Sequence, residues 1–403
     1  MSRQVWILLS SDGLSALGSG MTVPFLIVYL ESARGFSPQM SSAMVSVIAL
    51  VGIFGNPLAG AFSDRTGPRI VLAVGLTVSA MGTLILCLAS QLWEAFFATA
   101  TLGLGYSLSW PSFNTLLAQL VSRKQYSLAF SLRHATSNGG IAAGGLLSAL
   151  MLSPNNSSSF SFLYMMDAIT FLLAVPILWL IKIPIGTESR GTNQAASEQR
   201  DIQNGSLLRD KLFCRLWLLT TMLVAVGFAQ FNVTFPAYFL HLGADNRILA
   251  FAFAAATLTA LMIQVVTLKL VYGRRRTYAM ALMCAIWAFS WTLAVAASTV
   301  TESRVPFLAI LCAVTFALGE TLLAPTISPI VNYIAPTGMQ GRYNAGEALA
   351  YSAGFVIGPL ISGFMLSRGF SVQLFGFLIG ACILGIFLSF RLGKFLPISI
   401  SRI

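Results

Sequence analysis

The sequence predicts an all-α integral membrane protein, with twelve transmembrane helices in two pseudo-symmetric six-helix bundles. Three observations carry that expectation. Charged residues make up 9% of the 403 residues and hydrophobic ones 56%, with a mean hydropathy of +0.80. Soluble domains run near a quarter charged, so the composition belongs to the membrane class. Charge-free stretches such as Ile70 to Trp93, Ala95 to Ser122, Ile248 to Leu268 and Gly369 to Phe390 recur along the whole length. A bilayer core takes roughly 20 apolar residues per helix, and the runs are continuous rather than alternating, which excludes spanning strands. Finally, a shift of 214 positions places Gly105 on Gly319, Pro111 on Pro325, Gly140 on Gly354, Gly144 on Gly358, Leu146 on Leu360 and Ser148 on Ser362. That ungapped match equates spans 4 and 5 with spans 10 and 11. Duplicated halves with a midplane site between them are how many secondary transporters are built.

In chain order the spans are expected at 5–30, 40–62, 70–90, 95–121, 128–152, 160–181, 213–240, 248–272, 277–298, 306–335, 344–366 and 370–390. The first apolar run continues past Tyr29 with Asp12 inside it, too long for a cleavable signal. The longest polar stretch, Lys182 to Lys211, contains three glycines, five basic and four acidic residues, and reads as a cytoplasmic linker with room for a short surface helix. The organisation is therefore an N-terminal bundle 1–181, a linker 182–212 and a C-terminal bundle 213–403.

The net charge of +11 does not point to nucleic acid, because of where it lies. With the N-terminus inside, 19 of 24 basic residues fall on cytoplasmic segments and adjoining helix ends, leaving Arg34, Arg247, Arg304 and Arg368 outside and Arg133 within a span. This is the positive-inside bias. An even number of spans returns both termini to the cytoplasm, and a bacterial inner membrane is the expected location. Five scattered cysteines form neither a disulfide framework nor a metal spacing. No cofactor is expected, nor an enzyme: neither a nucleophile elbow nor a phosphate-binding Gly-x4-Gly-Lys-Ser/Thr loop occurs. Asn155 and Asn156 form chance-level glycosylation sequons.

After span 2 the chain reads Gly60-Ala-Phe-Ser-Asp64-Arg65-Thr-Gly67-Pro68-Arg69. This resembles the signature loop of the major facilitator superfamily, Gly-x-x-x-Asp-Arg-x-Gly-basic-basic, and lies between the expected spans. Gly60 permits helix approach, Asp64 can accept from a helix N-terminus or a basic partner, and Gly67 turns the chain. Pro68 departs from the pattern, and the matching second-half loop, Gly273-Arg-Arg-Arg276, lacks the acid. Span 5 carries Gly140-x-x-x-Gly144-Gly145, and span 11 carries Gly354-x-x-x-Gly358-Pro359-x-x-x-Gly363. Both resemble the glycine-proline motif of proton-coupled drug and metabolite antiporters, although Gly145 stands where the first proline belongs and small residues at this spacing also serve plain helix packing. Thr99 occupies a span 4 position where those exporters often have arginine.

Ionisable residues within spans cost roughly 2.5–3.5 kcal/mol at mid-bilayer and so ask for a reason. Glu320 lies about 15 residues into span 10, ahead of Pro325 and Pro329. Its surroundings resemble the glutamate-bearing helix of some multidrug exporters, which implies proton or cation coupling; a structural hydrogen bond is the plainer alternative. Arg133 in span 5 has Glu347 in span 11 as its repeat mate, and Asp12 in span 1 is a candidate partner for Arg133. A static ion pair and a moving gate are both open. His134 is expected to pack, and Asp167 to serve as a structural hydrogen-bonding group.

The resemblance implies a cavity lined by spans 1, 4, 7 and 10, which offer Met21, Tyr106, Trp110, Asn114, Phe228, Gln230, Phe231, Asn232, Phe235 and Tyr238. Aromatic and methionine surfaces with a few amides suit an amphipathic organic molecule. The expected function is proton-driven export of such compounds by alternating access, by a protein working as a monomer. The alternatives are proton-linked import of a small solute and, remotely, a receptor or enzyme.

Overall fold

The computed structural model describes residues 1–151, 157–182 and 207–397; the sequons and most of the linker lie outside them. The described residues are mostly helical, and ten helical segments among them are long and apolar enough to cross a membrane. The protein is a multi-pass integral membrane protein. Its surface agrees with lipid contact: Phe54, Leu88, Leu150 and Met262 are each at least 70% exposed. A patchwork of large apolar side chains on that scale would be insoluble in water.

The long helices are α1 (Arg3–Thr22), α2 (Pro38–Thr66), α3 (Pro68–Leu88), α4 (Leu92–Leu120), α5 (Tyr126–Met151), α6 (Ser157–Trp179), α7 (Lys211–Val226), α8 (Phe228–His241), α9 (Asn246–Val271), α10 (Arg276–Ala297), α11 (Val305–Glu320), α12 (Ile327–Ile334), α13 (Gln340–Leu366) and α14 (Ser371–Gly393). Their starts are chemically marked. The side chains of Ser37, Asp210 and Asp245 accept from the first-turn amides of α2, α7 and α9, and Gln91 with Glu94 forms a capping box on α4. Between α2 and α3 a single residue turns the chain. Gly67 sits at φ +90°, a conformation that side chains disfavour, and Pro68 starts the next helix from its first turn.

Three expected spans prove to be interrupted. Span 1 leaves the α-helix after Thr22 for a 3-10 turn at Val23–Phe25 and a π-turn at Tyr29–Ala33, because Pro24 lacks the amide that would continue the ladder. Span 7 breaks at Gly227, where a Cβ would lie 2.3 Å from the Trp287 ring. Span 10 ends at Glu320 and resumes at Ile327. Pro325 cannot donate to the Thr321 carbonyl, nor Pro329 to that of Pro325.

By contact the chain divides into two units, residues 1–207 with 334–349 and residues 208–333 with 350–403. In the first, α1 packs on α5 and α6, α4 on α2 and α3, and α3 on α6. In the second, α11 packs on α9 and α10, and α14 on α10 and α7. The span pairs 2–4, 3–4, 3–6 and 1–6 thus recur as 8–10, 9–10, 9–12 and 7–12. The matched glycines play matched parts. A Cβ on Gly140 or Gly144 would run into the α1 backbone, at Gly13 O (2.7 Å) and Leu17 O (2.0 Å). One on Gly354 or Gly358 would meet span 7, at Val224 (2.6 Å) and Ala229 (2.6 Å). Such close approach is the use of small residues between membrane helices. Gly144→Leu is therefore expected to prevent α1 and α5 from docking, seen as loss of a monodisperse folded species in detergent chromatography. Gly363→Leu, with nothing within 4 Å of its Cβ position, should leave the folded yield unchanged.

Candidate functional site

Two polar clusters in the first unit and one in the second gather the chemistry-bearing side chains. The first lies among α1, α4 and α5. Arg133, 8% exposed, places its Nε 3.7 Å from Asp12 Oδ1 and donates from Nη1 to Asn114 Oδ1. Its guanidinium stacks 4.5 Å from the Trp110 ring centre and 4.2 Å from that of Phe113. Asp12 accepts in turn from Ser137 Oγ. Burial makes each charge dependent on the others: a buried ion pair survives only where geometry and added hydrogen bonds offset desolvation. Asp12, Arg133, Trp110 and Asn114, far apart in sequence, thus meet in one constellation. Ser137 is the member that sequence reading missed. Its signal is spacing, since it lies one helical turn after Arg133 on the same face.

The second cluster joins the end of α2 to the beginning of α13. Asp64 accepts from Gly341 N (2.6 Å) and Arg342 N (3.1 Å), and its Oδ2 lies 3.7 Å from Arg342 Nε. A carboxylate on the first amides of a helix satisfies donors that have no partner within the helix and meets the positive end of its dipole. Close approach makes this possible. A Cβ on Gly60 would lie 2.7 Å from Gly341 O, and one on Gly341 would lie 2.5 Å from Gly60 O. Next to this contact, Asn344 Nδ2 donates to Thr115 Oγ1 at 3.1 Å. Arg65 is exposed. Arg69 packs over the Trp179 ring at 4.1 Å and donates to Ile181 O, fastening α3 to the end of α6. Glu347, in this same part of α13, is 3% exposed. Arg133 is paired with Asp12, and Glu347 lies in the same contact unit as both.

The third cluster surrounds the break in span 10. The two carbonyls that Pro325 and Pro329 cannot bond are taken by neighbours: Gln264 Nε2 donates to Thr321 O (3.2 Å), and the fully buried Arg276 donates from Nη1 to Pro325 O (3.0 Å). Thr267 and Thr321 hydroxyls pair at 2.9 Å. Broken membrane helices persist where neighbouring polar groups satisfy the freed backbone. Glu320 stands at the last residue of α11, half-buried, directly at this break. Arg276 reads in the sequence only as a loop cation and Gln264 not at all; the signal is two prolines four residues apart, which free two carbonyls in succession.

The aromatic residues of span 7 pack against one another and against spans 9 and 10. Phe231 stacks on Phe316 at 4.3 Å, Trp287 stacks on the same ring at 4.9 Å, and Phe228 meets both edge-on. Phe235 is wholly buried, and Tyr238, 2% exposed, donates to Ala294 O at 3.2 Å. Gln230 donates to Ala225 O and Gly358 O at the Gly227 break. These residues build the interior of the second unit, each aromatic pair contributing about 0.5–1.5 kcal/mol. Asn232 is exposed and bonds its own helix. Met21 is buried against α5, where its carbonyl accepts from Ser148. Tyr106 packs towards Phe171 at 6.3 Å, while the Trp110 side chain is well exposed, at 46%. Asp167 lies midway along α6 and accepts from Thr22 at the break in span 1.

The family model of the Major Facilitator Superfamily matches residues 8–301. The chain belongs to that superfamily. An uncharacterised superfamily transporter of Bacillus subtilis, YqjV, is 26% identical over 397 residues, covering 96% of this chain and 92% of the relative. Multidrug resistance protein 2 of the same bacterium is 23% identical, covering 89% and 88%. Among solved structures, the human organic anion transporter MFSD10 superposes with a TM-score of 0.78 at 14% identity, covering 96% of this chain and all of that one. That likeness is one of fold. Superfamily members are transporters, so the protein is a transporter and not an enzyme.

Proposed function

We propose that the protein is a proton-coupled exporter of amphipathic organic compounds, built from twelve spans in two six-helix bundles, with both termini in the cytoplasm of a bacterium. The observation that carries the reading is an acid at a broken membrane helix. Glu320 stands where α11 stops, and the stretch beyond it is held open by Gln264 and Arg276. Transporters of this kind place substrate and coupling ions at discontinuous helices. The Asp12–Arg133 pair beside the exposed Trp110 ring is a second acid–base site, suited to an organic cation that can lie on an aromatic face. Multidrug resistance protein 2 lends analogy for the substrate class. Alternating access then requires the Asp64 clasp on α13 to open and close once per cycle. The protein works as a monomer.

Proteoliposomes with an imposed pH gradient and a panel of amphipathic dyes test this. Gradient-driven dye movement is expected, and Glu320→Gln, an isosteric change that cannot titrate, is expected to abolish it while the folded yield stays near that of the parent. Solute-induced alkalinisation outside would instead establish symport and overturn export. Parental pH dependence in the Glu320→Gln protein would remove Glu320 from coupling.

A further inference from the structure

A cavity of about 380 Å³ opens between α7 and α14, within the second unit, and shares no lining residue with the three polar clusters. Its size falls within the roughly 300–1,000 Å³ typical of small-molecule sites. Two ends of it differ in chemistry. Along the helices it is walled by Leu218, Met222 and Leu388, and at the helix termini by Arg215, Arg391 and Phe395. Arg215 lies in the second turn of α7 and Arg391 in the last turn of α14. The Arg215 guanidinium carbon lies over the Phe395 ring, 3.9 Å from its centre, and the N–H groups of the guanidinium remain donors. Neither arginine is ion-paired with an acidic side chain among the described residues. Lys211, one turn before Arg215, and Lys394, one turn after Arg391, are exposed and add positive charge at the same helix ends. Asp210, the nearest acid in sequence, is turned to its own helix, accepting from Leu212 N and Phe213 N.

We propose that this cavity binds an anionic glycerophospholipid, with its phosphodiester between Arg215 and Arg391 and a length of acyl chain along Leu218, Met222 and Leu388. The membrane residence of the chain puts both parts of such a molecule within reach: apolar walls face the hydrocarbon, and the two arginines stand where helices leave it. Basic pockets between spans take lipid headgroups in this way. Charge selects the class. An ammonium-bearing headgroup would be repelled by the four cations gathered at these helix ends, whereas a headgroup with net negative charge is held by paired guanidinium donors. The site does not depend on what the transporter carries, and its failure would leave the export reading intact.

The test uses the full chain, delipidated in neutral detergent, with phosphatidylglycerol as probe and phosphatidylcholine and inorganic phosphate as controls, read by native mass spectrometry and by the thermal midpoint. Phosphatidylglycerol is expected to bind and to raise Tm, and the controls are not. Removing two juxtamembrane cations at about 1 kcal/mol each corresponds to about 30-fold weaker binding, so Arg215→Gln/Arg391→Gln should lose affinity on that scale. Leu388→Trp keeps both charges and fills the cavity, and it should also lose the Tm increment while matching the parent's Tm in phosphatidylcholine. Equal binding of phosphatidylcholine, undiminished phosphatidylglycerol affinity in either variant, or the same stabilisation by inorganic phosphate alone would overturn the assignment.

Discussion

Replacing Arg133 with Gln should destabilise the first unit by about 3–5 kcal/mol, the cost of leaving a buried charge without its partner. Asp12 would keep only the Ser137 hydroxyl, and Asn114 would lose the donor to its Oδ1. Trp110 and Phe113 would lose the cation between them. Asp12→Asn alone should cost a similar amount by taking the carboxylate from beside the buried Arg133 guanidinium. The double variant Asp12→Asn/Arg133→Gln is expected to be more stable than the sum of the single losses by 1 kcal/mol or more, since the second change removes the charge that the first strands. Urea unfolding in detergent, followed through tryptophan fluorescence, measures the cycle. Strict additivity would mean that the pair contributes no coupling and that each residue is held by its other contacts. Adding Glu347→Gln to the Arg133 variant extends the cycle to the repeat mate. Coupling there would tie the two matched charges into one network, and additivity would make their match in the repeat incidental.

Asp64→Asn should slow transport at least tenfold while leaving substrate affinity within about twofold of the parent. Asp64 makes its hydrogen bonds to the backbone amides of Gly341 and Arg342, at the N-terminus of α13, and not to the side chains gathered at Arg133 or Glu320. Asparagine retains one acceptor but loses the charge, and charge-assisted hydrogen bonds contribute roughly 1.5–3 kcal/mol each against about 1 for neutral ones. A loss of about 1.4 kcal/mol in one state shifts a two-state equilibrium tenfold. Spin-label distances between the end of α2 and the start of α13 should accordingly broaden towards a separated population. Equilibrium dye binding in detergent checks the other half: a large loss of affinity with normal turnover would place Asp64 in the substrate site. Gly60→Val should give the same separation more severely, because its side chain would enter the space now held by Gly341 and Ala345.

Much of this was legible from the chain alone, for a physical reason. In hydrocarbon every backbone donor must find its acceptor nearby, so a run of about 20 apolar residues can only be a helix, and composition suffices to see it. The superfamily was legible because the loop from Gly60 to Arg69 depends on local conformation: an acid at a helix end and a glycine at positive φ. The repeat was legible because its glycines answer to steric limits that no other residue meets. Ion-pair partnership was partly so, because a buried arginine must have a partner and Asp12 was among the few acids available.

Tertiary structure decided the rest. Which face of span 7 carries Phe231, Phe235 and Tyr238 depends on how α8 rotates beyond the Gly227 break, and that rotation is set by Trp287 packing into the space a side chain would need. The break in span 10 was signalled by its prolines, but the groups that satisfy it, Gln264 and Arg276, come from 57 and 49 residues away in sequence. Asp64 meets an amide 277 positions downstream, and no local preference links the two. Local sequence determines where a helix exists, because its hydrogen bonds span four residues. Only the packed structure determines what a side chain on that helix touches, because desolvation and close approach are settled between helices.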